Sequence, residues 1–236
     1  MTTPADAEVL LFDLDDTLLD FSSNVGSAWF EALAPIASDC SVEAEPLIAA
    51  IRAKAAWYWS CPDRHRLGRV RLIETGTEIV GLALSEIGAD HAPDFAPRLS
   101  RSYRRLREQS LSLIEGALDC LERHRSAGRR LGLVTNGAGD AQRAKIERFE
   151  LAGWFEHVQI EGELGIGKPD ERAFEHALAK FGVSADRAWM IGDNLEWDVL
   201  SPKRVGLRGA WVAAGRDLPE GQESRPDLIV DSVRDY

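Results

Sequence analysis

Three aspartates and a threonine stand together in Asp13-Leu14-Asp15-Asp16-Thr17, directly after the apolar run Val9-Leu10-Leu11-Phe12. Carboxylates this close repel one another and raise each other's pKa unless a cation sits among them. A divalent metal ion accounts for the cluster economically, and a turn with a helix N-cap is the plainer use of the same residue types. Three further polar marks follow: Thr135-Asn136-Gly137, Lys168-Pro169-Asp170, and Gly192-Asp193 with Asp198. Each alone is a common turn or helix start. In an open parallel α/β sheet, however, the groups that act on a ligand collect beyond the carboxyl ends of the strands. Four such marks, each beside an expected strand end or helix start, therefore converge on one crevice.

The elements that must position them alternate. Val9 to Phe12, four large apolar residues in a row, reads as a strand buried on both faces. Helical spacing follows over 22–38 and 42–60, a Pro- and Gly-broken loop is expected over 61–69, and helices return over 70–87 and 95–109. No strand interrupts that long stretch. From residue 117 the texture changes: helix 117–126, strand 130–135, helix 140–150, strand 157–161, helix 170–181, strand 188–191, helix 197–204, a strand near 209–213 and a last one at 227–230. Strands alternating with helices indicate βαβ units and a parallel sheet. The expected fold is α/β, a Rossmann-like parallel-sheet core (1–20 and 112–236) with helices on both faces, and a mostly helical domain (21–111) inserted after the first strand.

The chain has 236 residues and a formal charge of -11, from 28 basic against 39 acidic residues. Such a surface repels nucleic acid and anionic membranes, while a local basic patch can still receive a phosphorylated small molecule. Cys40, Cys61 and Cys120 are odd in number, far apart and without CxxC spacing, as expected of free thiols in a reducing compartment. Met1 to Asp6 carries no basic region leading into a long apolar segment, and no window approaches a membrane span. The expectation is a cytoplasmic protein acting on a small molecule, with no nucleic-acid or membrane partner. No motif sets an oligomeric state.

The four marks resemble those of the haloacid dehalogenase-like hydrolase superfamily, whose members are mostly magnesium-dependent phosphatases. Asp13-Leu14-Asp15-Asp16-Thr17 matches its first motif, with Asp16 where many members have Gly; Thr135 matches the second, Lys168-Pro169 the third, and Gly192-Asp193 with Asp198 the fourth. The resemblance covers about 9–20 and 113–230, and the helical insertion lies where one branch of the family carries its cap. It implies that Asp13 attacks phosphorus to give an aspartyl-phosphate, and that Asp15 protonates the leaving alkoxide and then deprotonates water. Mg2+ would be held by Asp13, the backbone carbonyl of Asp15 and Asp193, with Asp198 a further ligand or supporting acid. Thr135, Asn136 and Gly137 would bind phosphoryl oxygens, while Lys168 offsets the charge of Asp13 and the phosphate.

In the insertion, Arg64 and Arg66 belong to the densest basic run of an acidic chain. They are either a solvated surface or a grip on an anionic group of the substrate. Trp57, Tyr58 and Trp59 are either core or pocket lining. The implied activity is a phosphatase acting on a small phosphorylated metabolite such as a nucleotide or sugar phosphate. The alternatives are a 2-haloacid dehalogenase using the same aspartate, a phosphoacceptor module, and a non-catalytic binding protein of the same fold.

Overall fold

A computed structural model describes residues 7–23, 25–221 and 224–236. Met1 to Asp6, read above for export signals, and Asn24, within the first expected helix, lie outside the described residues. The chain divides into two compact units, one formed by Met1–Asp20 with Ser112–Tyr236, the other by Phe21–Leu111.

The first unit is built on β1 (Val9–Phe12), whose four side chains are all fully buried, as an apolar run in a two-sided parallel sheet must be. After the short β2 (Leu19–Asp20), the chain returns to this unit at β3 (Ser112–Leu113), which pairs antiparallel with β2. Neither two-residue strand has a sequence signature. There follow α6 (Ala117–Ser126), β4 (Arg130–Thr135), α7 (Gly139–Arg148), β5 (His157–Ile160), α8 (Glu161–Leu164), α9 (Glu171–Phe181) and β6 (Ala188–Gly192), then α10 (Ser201–Arg204), β7 (Arg208–Val212) and β8 (Leu228–Val230). The sheet order is β5-β4-β1-β6-β7-β8, with every neighbouring pair parallel. From β1 the sheet is filled outward through β4 and β5 on one side, and the chain then crosses back to β6, β7 and β8 on the other, so the topological switch point lies at the carboxyl end of β1. Gly132 in β4 is required by packing: a Cβ there would come within 2.7 Å of Leu11 and 2.9 Å of Phe181.

The second unit is helical: α1 (Val25–Leu33), α2 (Ala44–Trp59), α3 (Pro62–Gly68), α4 (Leu72–Glu86) and α5 (Phe95–Gln109), around a core that includes Trp29, Leu47, Ile51, Val80, Leu84 and Leu99. The expected first helix stops early, its second half passing into a 3₁₀ turn at Ala34–Asp39 that begins beside Pro35. The expected loop over 61–69 is instead α3. Pro62 occupies the first turn, where its fixed φ and missing N–H cost nothing, behind an extended Cys61. Gly68 is its last residue, packed so closely that a Cβ would sit 2.9 Å from Tyr58. The two residues read as breakers mark the ends of a short helix. All three cysteines are free. Among the described residues no helix is long and apolar enough to cross a membrane.

His124, on the buried face of α6, packs against the rings of Phe12 and Tyr236. Burial, with the positive charges of Arg129 and Arg123, pushes it down to about 4. The folded state thus binds fewer protons than the unfolded chain between that value and the ordinary histidine pKa of about 6.5. Stability present above this window is lost as pH falls through it. Urea midpoints measured from pH 7.5 to 4.5 should fall less steeply for His124→Gln than for the wild type; parallel curves would remove His124 from the acid response.

Candidate active site

The carboxyl end of β1 delivers Asp13, whose N–H continues the sheet by donating to Ile191 O at 2.9 Å. Thr17 Oγ1 donates to Asp13 Oδ2 at 3.4 Å and accepts from the Asp193 N–H at 3.0 Å, tying the loop after β1 to the loop after β6. Between them, Asp16 has φ 59°, the left-handed region that Gly visits freely and Asp tolerates among non-glycine residues. The position that departs from the motif is therefore one where glycine is the natural occupant. Asp16 is half-buried and adds its charge to the field at Asp193.

After β6 the chain forms a π-helical turn over Leu195–Leu200 in place of the first part of the helix expected over 197–204. Asn194 caps it, its side chain accepting from Trp197 N at 3.0 Å. The wide turn places Asp198 back over β6, so close that a Cβ on Gly192 would sit 2.3 Å from the Asp198 carboxylate. Asp198 Oδ2 accepts from the Asn194 N–H at 3.0 Å. Carboxylate oxygens of Asp13, Asp193 and Asp198 all lie within 4.8 Å of one another.

Lys168 enters this cluster with 1% of its surface exposed, and its Nζ donates to Asp13 Oδ1 and to Asp198 Oδ1, each at 2.6 Å. Asn136 fixes its backbone, donating from Nδ2 to Lys168 O at 2.7 Å and accepting at Oδ1 from Lys168 N at 2.9 Å. Burial pulls Lys168 down, but the charges of Asp13 and Asp198 outweigh it and hold the ammonium above the ordinary lysine value. Burial raises Asp13 well above the carboxylate range; Lys168 opposes this, and Asp198 and Asp193 reinforce it. Asp193 is pushed up to about 7 by burial and by Asp198 and Asp16, against the pull of Arg216. One ammonium among three carboxylates leaves negative charge in excess. Hard oxygen donors in that arrangement fit a divalent cation.

Asp15, two residues beyond Asp13, places its side chain elsewhere. Its oxygens accept from Lys145 Nζ at 2.7 and 2.6 Å, and Oδ2 accepts from Gln142 Nε2 at 3.1 Å. Gln142 Nε2 also donates to Thr135 Oγ1 at 2.7 Å, and Gly137 donates its N–H to the buried carboxylate of Glu161 at 3.0 Å. Arg216 donates to Asp193 O at 2.7 Å and Oδ2 at 3.2 Å. Sequence reasoning missed Gln142, Lys145, Glu161 and Arg216. A signal existed for two of them: Gln142 and Lys145 share a helical face with Ile146, and all three are buried.

In the helical unit, Arg64 donates to Trp57 O at 2.7 Å and Tyr58 O at 3.1 Å and stacks over Trp57, while Arg66 is exposed. Arg64 therefore satisfies carbonyls at the end of α2. Tyr58 is core, Trp57 is half-exposed, and Trp59 faces a cavity of about 430 Å³ within this unit, with Trp29, Arg69, Tyr103 and Arg107.

Residues 7–206 match the family model of the haloacid dehalogenase-like hydrolases. A phosphoserine phosphatase of Thermus thermophilus is 34% identical over 97% of both chains. A glyceraldehyde 3-phosphate phosphatase of Pyrococcus abyssi is 30% identical over 89% of this chain and 82% of its own. Among solved structures, the Bacillus subtilis HAD-hydrolase YfnB, crystallised with magnesium bound, has the same fold, with a TM-score of 0.77 at 23% identity over 97% of this chain and 96% of its own.

Removing one partner from a buried ion network leaves uncompensated charge, a loss of about 3–5 kcal/mol. Lys168→Met should lower the urea unfolding free energy by that amount, and adding Asp198→Asn should restore part of it. Equal stabilities of the single and double variants would show that the lysine charge is not what the carboxylates require.

Proposed function

We propose that this chain, which belongs to the haloacid dehalogenase-like hydrolase family, is a phosphomonoesterase that transfers the phosphoryl group of a small cytoplasmic metabolite to Asp13 and then to water. The observation that carries this reading is the Asp13 carboxylate at the switch point, in a 2.6 Å contact with Lys168 and facing Asp193 and Asp198. A carboxylate divides a difficult displacement into two easier ones. Lys168 favours the charged form of Asp13 against the effect of burial and would offset the charge of the arriving phosphate. Thr135 Oγ1 accepts from Gln142 at 2.7 Å and donates to Asn136 O at a long 3.4 Å, a contact that an arriving phosphoryl oxygen would replace. The backbone amides after Thr135 would add to this, with Gly137 committed to Glu161 and Asn136 left as the donor. Asp15 is the proton donor to the leaving alkoxide and the base toward water.

Asp13, Asp193 and the backbone carbonyl of Asp15 would hold Mg2+, with Asp198 supporting through Lys168 and Asn194. When bound, the ion would neutralise charge on the transferring group. The relatives named for phosphoserine and glyceraldehyde 3-phosphate support an alkyl phosphomonoester with a small leaving group. Nucleotide and sugar phosphates belong in the same test. Displacement of halide from carbon needs neither a leaving-group acid nor a cation, so the Asp15 and Asp193 arrangement favours phosphate.

Phosphate release from 4-nitrophenyl phosphate and from a panel of metabolite phosphates should require Mg2+, stop with EDTA, and fall by at least about a thousand-fold in Asp13→Asn. Undiminished turnover in that variant, or halide release from a 2-haloacid in the presence of EDTA, would overturn the reading. In the absence of substrate, Mg2+ at about a hundred times its Kd should stabilise the fold by about 2.7 kcal/mol. Asp193→Asn should lose that increment, and an unchanged increment would place the ion elsewhere.

A further inference from the structure

The side chain of Asp15 sits at a turn with its backbone pinned by a bridge to Leu19, but that bridge does not fix its carboxylate. Helix α7 does. Lys145 and Gln142, both almost fully buried, surround the two oxygens with three contacts of 2.6, 2.7 and 3.1 Å. An interior lysine and glutamine on the core face of a helix carry a desolvation cost. Here that cost is offset by contacts to a single carboxylate and to Thr135 Oγ1 at 2.7 Å. Gln142 thus links the proposed acid to the proposed phosphate donor.

Resting on the phosphatase reading, we propose that Lys145, assisted by Gln142, is the positioning residue for Asp15, fixing where its carboxylate stands relative to the leaving oxygen. A general acid contributes only when held within hydrogen-bond reach of the atom it protonates. An aspartate free to rotate at a partly exposed turn would spend little time there. Lys145 touches neither phosphorus nor the leaving oxygen in this assignment and works through Asp15. Gln142 also donates to Thr135 Oγ1, whose own proton goes to Asn136 O at 3.4 Å, so the same helix contacts both groups.

The distinguishing experiment uses the leaving group. Substituted phenyl phosphates, from 4-nitrophenyl to 4-methylphenyl, differ in how much they need a proton as the phenolate departs. The kcat/KM value ends at the first irreversible step, release of the phenol, so later attack by water does not enter. The wild-type plot of log kcat/KM against leaving-group pKa should be shallow. In Lys145→Met it should steepen toward the slope of Asp15→Asn, with 4-methylphenyl phosphate losing about ten-fold or more beyond the loss on 4-nitrophenyl phosphate. Adding Lys145→Met to Asp15→Asn should cost little further, as expected of residues acting as a unit. A uniform loss across the series with unchanged slope, or fully additive losses, would overturn the assignment and leave Lys145 a structural ion pair. Thermal unfolding followed by circular dichroism checks folding, and Lys145→Gln serves for the same comparison if Lys145→Met does not fold. A wild-type protein inactive on every ester would instead overturn the phosphatase reading, and this assignment with it.

Discussion

A single ammonium group holds the interior of the site together. Lys168 Nζ lies 2.6 Å from both Asp13 and Asp198, in a place from which water is almost completely excluded. Three carboxylates at the end of one sheet would otherwise push one another apart, and much of the surrounding structure exists to bring the lysine to them. Asn136 clamps its backbone from the end of β4, the π-helical turn folds Asp198 back over Gly192, and Thr17 joins the loops after β1 and β6. Buried ion networks are weak sources of stability, since well-packed apolar residues of similar volume often serve as well or better. Their presence at the switch point of a parallel sheet is explained by chemistry that needs charge held in a dry place.

The frame of this site is readable in the chain. Val9 to Phe12 reads as a two-sided strand, and it lies inside the sheet between β4 and β6. Strand-final Thr135, Lys168 and Gly192-Asp193 each fall where α/β topology collects functional groups, and the structure brings Asp13, Lys168, Asp193 and Asp198 together. Helix α5 matches the periodicity to the residue, because its apolar positions repeat cleanly between Asp94 and Ser110.

What escaped the sequence has physical causes. The long-range partners Gln142, Lys145 and Glu161 are polar residues whose burial depends on a carboxylate or amide supplied by a loop distant in sequence, and the face that Gln142 and Lys145 share with Ile146 is the one local sign of it in a helix as charged as α7. Pro62 and Gly68 are ambiguous letters, able to break a helix or to start and end one; the packing of Gly68 against Tyr58 decided between them. Arg64, which a basic run leaves open between a solvated surface and a grip for an anion, is engaged locally by carbonyls at the end of α2 and the face of Trp57. The π-helical turn is set by Asp198 reaching Lys168 and the Asn194 amide, a tertiary demand that periodicity does not carry.

The proposed reaction requires Asp13, and not its neighbour Asp15, to become covalently phosphorylated. Protein turning over 4-nitrophenyl phosphate can be quenched with borohydride, which reduces an aspartyl-phosphate to homoserine, and the peptide spanning both residues sequenced by tandem mass spectrometry. Homoserine is expected at position 13 with Asp15 intact. Homoserine at position 15, or an unmodified peptide from protein trapped during steady turnover, would contradict it.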